Sequence, residues 1–93
     1  METLRAIALR IKETDRLEDA FRASELVEIA EEDLGLHIEG ANDDARNQAF
    51  GRKCSSLFRN SHSITLDEIT ITREEQEVHA DGKKRSVKFY RFT

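Results

Sequence analysis

The chain has 93 residues, 38% of them apolar and 37% charged, and a formal net charge of −4. That is enough apolar material for one small core and too little length for a second. With no proline, only four glycines and no apolar run of ten residues, no linker, low-complexity tract, membrane span or cleavable leader is expected. The single cysteine, Cys54, excludes an internal disulfide and any multi-cysteine zinc site. A cytoplasmic protein without cofactor is expected, and a binding module rather than an enzyme.

Leu4, Ile7, Ala8 and Ile11 share one side of a helix over about residues 3–12. Thr14 and Asp15 stop it or cap a further turn. Phe21-Arg22-Ala23 reads as a short extended stretch, and Ser24 as the N-cap of a second helix with Glu25 and Glu28 in its first turn. Leu26, Val27, Ile29, Ala30 and Leu34 form its apolar arc, Glu25, Glu28, Glu31 and Glu32 its outside, and Gly35 its stop. After a connector, Asn42 caps a third helix from about 43 to 60. Phe50, Cys54, Leu57 and Phe58 gather on one face of it and Gln48, Arg52, Ser55, Ser56 and Arg59 on the other, flanked by Arg46, Lys53 and Asn60.

Beyond Asn60 the period changes to two. Ile64, Leu66, Ile69 and Ile71 alternate with polar residues, and Asp81-Gly82 is a strong hairpin signal. A two-residue turn there sets Glu75 opposite Lys88 and Val78 opposite Arg85. The final residues Val87 to Phe92 have high strand propensity.

The order of elements predicts an α+β winged helix-turn-helix: three helices and a C-terminal two-stranded hairpin as the wing. One domain spans 1–93, with an N-terminal helix and connector over 1–20, the helix-turn-helix over 21–60 and the wing over 61–93. The run Phe21 to Ala30, the Phe50-Gly51-Arg52 triplet with Leu57 after it, and the terminal Tyr90-Arg91-Phe92 resemble winged-helix modules at the C-termini of phage and plasmid primase-helicase replication proteins. The resemblance covers about residues 18–93. It implies a non-catalytic, DNA-associated accessory domain of a mobile-element replication protein, working beside the other domains of its parent chain. The acid-rich Glu74-Glu75-Gln76-Glu77 and the net acidity depart from that pattern and imply weak binding of duplex DNA by this domain alone.

Charge is distributed unevenly. Residues 1–44 hold 5 Lys/Arg and 13 Asp/Glu, residues 45–93 hold 10 and 6. A chain divided in this way can turn one basic face to an anion. The candidate nucleic-acid contacts are Arg46, Gln48, Arg52, Lys53, Ser55, Ser56 and Arg59 on the third helix, and Lys83, Lys84 and Arg85 after the turn. Arg and Gln are the residue types that pair bidentately with base edges, and lysines hold phosphate. An ordinary solvated helix face is the competing explanation of the first set. Blunting of a strand edge is that of the second.

His37, His62 and His79 are too widely spaced for a metal site, and Cys54 sits on the apolar face, so it reads as a buried thiol. No phosphate loop or nucleophile motif is present, so no catalytic residue is expected. Two other functions fit the composition. One is a protein adaptor using Glu25, Glu28, Glu31 and Glu32; the other is a small acidic DNA mimic.

Overall fold

The structure, a computed structural model, describes residues 2–93. Helix α1 (Glu2–Glu13) buries Leu4, Ile7, Ala8 and Ile11, the residues its spacing selects. The Thr14 hydroxyl donates to the Arg10 carbonyl at 2.9 Å and closes the helix. A two-residue strand β1 (Ala20–Phe21) follows. Helix α2 (Ala23–Glu28) continues into one turn of π-helix at Ile29–Asp33. Its N-cap is Arg22, not Ser24, which lies inside the first turn. The Glu25 carboxylate takes over the cap by accepting from the Arg22 backbone N–H at 3.1 Å. Gly35, at φ 63, ends the segment, and the Leu36 amide reaches back to the Ala30 carbonyl.

Helix α3 (Asp43–Leu57) starts where Asn42 accepts from the Ala45 amide at 2.8 Å. It ends earlier than expected, with Phe58 as its C-cap, so Arg59 and Asn60 follow the helix. Strands β2 (Ser63–Leu66), β3 (Ile69–Ala80) and β4 (Lys83–Phe92) complete the chain. Gly40 is the one glycine pressed against backbone: a Cβ there would lie 2.6 Å from the Arg46 amide nitrogen.

The sheet corrects the expected winged helix with its two-stranded wing. It has four antiparallel strands in the order β1-β4-β3-β2. Two local events make the difference. The run 63–71 does not stay one strand: Asp67 and Glu68, at φ 47 and 68, fold it back so that Ile64 pairs with Ile71 and Leu66 with Ile69. At the other edge, Ala20 and Phe21 pair with Arg91 and Tyr90. The α+β class stands, and so does the register of the long hairpin, with Glu75 opposite Lys88 and Val78 opposite Arg85. Asp81 and Gly82, at φ 53 and 71, form the left-handed turn that their sequence signals.

The three helices cover one face of the sheet. Leu66, Ile69, Ile71, Tyr90 and Phe92 point inward to meet Leu4, Ile7, Ile11, Leu26, Phe50 and Cys54 in one core. Phe21 meets Phe92 edge-on at 5.8 Å between ring centres, and Phe58 lies 5.7 Å from Tyr90. Burying each such side chain is worth about 1.5–3 kcal/mol. Of the terminal aromatic residues, Tyr90 and Phe92 close the core, whereas Phe89 is half-buried on the opposite face of β4. That face carries no helix.

The hairpin outruns the rest of the sheet. β1 accompanies β4 only at Tyr90 and Arg91, and β2 accompanies β3 only as far as Thr72. From residue 77 to 86 the strands and their turn are exposed throughout. The result is a projecting two-stranded arm with acids on β3 and cations on β4.

Candidate nucleic-acid interface

The arm leans beside the start of α2 and the middle of α3, and two open clefts lie between them. The first, about 370 Å³, is lined by Ala23, Gln48, Gly51, Arg52, Ser55, Lys88 and Tyr90. The second, about 520 Å³, runs on from it past Arg22, Asn47 and Gln48 along four successive β4 residues, Arg85 to Lys88. Ala23, Gln48 and Lys88 belong to both, so the clefts form one groove. The structure thus brings Gln48, Arg52, Ser55 and Arg85 together. Lys83 and Lys84 are exposed at the tip of the same strand.

The cations of this groove are free. Arg5, Arg10, Arg16, Arg46, Arg73 and Arg91 each form ion pairs with carboxylates. Among the described residues, Arg22, Arg52, Lys53, Arg59, Lys83, Lys84, Arg85 and Lys88 form none. Glu75, which faces Lys88 across the ladder, is held instead by Arg73 at 3.6 Å. Arg91 is held by Glu74 at 3.2 Å. Glu74 and Glu75 therefore spend their charge on the body-side arginines and leave Lys83, Lys84, Arg85 and Lys88 of β4 available.

Four residues singled out on the third helix lie elsewhere. Arg46 is turned to the opposite side, where its guanidinium meets Asp43 and the Glu31 carboxylate, the latter at 3.5 Å. There it shares a cleft with Ser24, Glu28, Glu31 and Glu32. Lys53 and Ser56 flank a separate cleft beside His37, Ile38 and Leu57. Arg59, past the end of α3, is exposed. Of the acids suggested for an adaptor, Glu31 is engaged by Arg46 and Glu25 by the Arg22 amide, while Glu28 and Glu32 stand exposed between two clefts.

Two groove residues escape a reading by helix face. Arg22 marks the boundary between β1 and α2, and Lys88 lies far from the turn that draws attention to Lys83 to Arg85. The signal for Lys88 was present in the strand period. Lys84, Ser86, Lys88, Tyr90 and Phe92 alternate onto the helix-covered face, so a cation two residues before a core aromatic must border the helices.

Cys54 is buried, and burial pushes its thiol up to about 12, so it offers no nucleophile. Burial likewise raises the Tyr90 phenol. Among the described residues no three His, Cys, Asp or Glu side chains converge, and no helix is long and apolar enough to cross a membrane. No family model, curated protein or solved structure matches the chain.

Proposed function

We propose that the chain is a non-catalytic DNA-binding module that holds duplex DNA in the groove between α3 and the β4 side of the arm. The observation that carries this reading is the groove itself. Arg22, Arg52, Arg85 and Lys88 line one continuous concavity, and none is neutralised by a carboxylate. Phosphates release counterions on meeting such residues, which favours binding without base recognition. Gln48, exposed, and Ser55, half-buried, supply neutral hydrogen-bonding groups on the same wall. Lys83 and Lys84 extend the positive strip to the arm tip. A role beside the catalytic domains of a mobile-element replication protein is the setting the sequence resemblance implies.

The test is a labelled duplex of twenty base pairs at low salt, read by fluorescence anisotropy. Arg52→Glu with Lys88→Glu should abolish binding. Arg46→Glu, on the far side of α3, should leave it nearly unchanged. Equal loss from both variants, or no binding by the unaltered chain, would exclude the groove as a DNA site.

A further inference from the structure

The edge of β4 offers a second kind of binding. β1 is only two residues long and leaves β4 at Phe21, where Arg22 turns the chain into α2. The ladder alternates, so β4 residues that bond toward β3 are followed by residues that bond away from it. Thr93 exchanges two backbone bonds with Thr70 on β3, whereas the Phe92 carbonyl accepts from Glu18 on the opposite side. Counting back along β4, the N–H and C=O groups of Lys84, Ser86 and Lys88 point away from β3, and no strand runs beside them.

That unpaired edge is also the wall of a cleft. Arg85, Ser86, Val87 and Lys88 line it in succession, with both side-chain faces represented, so the cleft follows the strand edge and not one face of the sheet. Opposite stand Arg22, Ala23, Ser24, Asn47 and Gln48. The slot continues the line that β1 abandons.

We propose that this slot accepts an extended acidic segment of a partner protein as an added strand on β4. The backbone of Ser86 and Lys88 supplies alternating donors and acceptors that a peptide main chain satisfies and a phosphodiester chain, lacking donors, does not. Charge selects the partner: Arg22, Arg85 and Lys88 surround the slot without ion-pair partners, and Lys84 lies just beyond. Carboxylates on the added strand meet the lysines on the helix-covered face. An apolar residue meets Val87, which is half-buried on the other face. This goes beyond the DNA reading, since it depends on main-chain hydrogen bonds that DNA does not use.

The probe is an acetylated, fluorescent octapeptide of alternating glutamate and valine, titrated into the full chain. Saturable binding is expected, with Ser86 and Lys88 amides becoming protected from hydrogen exchange. The same peptide N-methylated at alternate residues should bind at least about tenfold more weakly, the loss of one or two hydrogen bonds. Ser86→Pro removes an outward N–H while keeping the β3 ladder, since proline is tolerated on the free side of a strand. It should abolish peptide binding, while the amides bonded between β3 and β4 keep their protection from hydrogen exchange. A peptide that fails to bind, or binds equally well when N-methylated, overturns the inference whether or not DNA binds. Peptide binding without DNA binding supports it and removes the DNA reading alone.

Discussion

If the groove holds duplex DNA as proposed, the salt dependence of binding follows from the number of free cations it gathers. Arg22, Arg52, Arg85 and Lys88 line it, and Lys84 stands just beyond on β4. About five phosphate contacts give a slope of roughly −4.5 in log K against log salt concentration. Raising monovalent salt from 50 to 200 mM should then weaken binding about 500-fold. Replacing Lys88 by alanine removes one contact, so the slope should become shallower by about 0.9, and likewise for Arg52→Ala. Arg46→Ala should leave the slope unchanged, because its guanidinium already serves Glu31 and Asp43. Anisotropy titrations at four salt concentrations measure all of these. A slope shallower than about −2, or one that Arg46→Ala changes as much as Lys88→Ala does, refutes the count on which the reasoning rests.

Other consequences concern the scaffold. Phe92 is fully buried against Phe21, so Phe92→Ala should cost about 3–5 kcal/mol in urea denaturation, a large share of the stability of a domain this size. Glu68 carries a positive φ of 68 that an L side chain resists, and Glu68→Gly should stabilise the fold by about 1 kcal/mol, seen as a higher urea midpoint. Gly40→Ala should destabilise it by about 1–3 kcal/mol, since the new Cβ meets the Arg46 backbone. The Cys54 thiol should react with a disulfide reagent at pH 8 only as fast as the chain opens. Its folded pKa lies above the ordinary thiol value of 9.0. Its contribution to stability is therefore complete below pH 9 and lost on going from there toward about 12, at up to about 1.4 kcal/mol per pH unit. Burial of Tyr90 acts in the same direction.

The parts of the fold legible in the sequence are those with a local cause. Leu4, Ile7 and Ile11 mark α1 by period, Asn42 caps α3, and Asp81-Gly82 with its flanking strands sets the hairpin register. The four-stranded sheet was not legible, because its two outer strands depend on tertiary pairing. β1 has only Ala20 and Phe21, too few to show a period. The Asp67-Glu68 turn lacks the glycine or asparagine that normally announces a positive φ, and is secured from a distance by Arg5 on Asp67 at 3.1 Å. At the site, the helical period selected Gln48, Arg52 and Ser55 on one wall. It could not separate Arg46, whose direction is decided by Glu31 on another element. Arg22 and Lys88 become groove residues only once β4 lies beside the start of α2.

The claim that α3 and β4 form one DNA-binding groove is tested most directly by amide chemical-shift mapping of the isotope-labelled chain with duplex DNA at low salt. The largest shifts should cluster at Arg22, Gln48, Arg52 and Arg85 to Lys88, and residues around Glu28, Glu32 and Arg46 should stay still. Shifts centred on Lys53, His37 and Leu57, on the acidic side of α2, or spread evenly over the surface would contradict it.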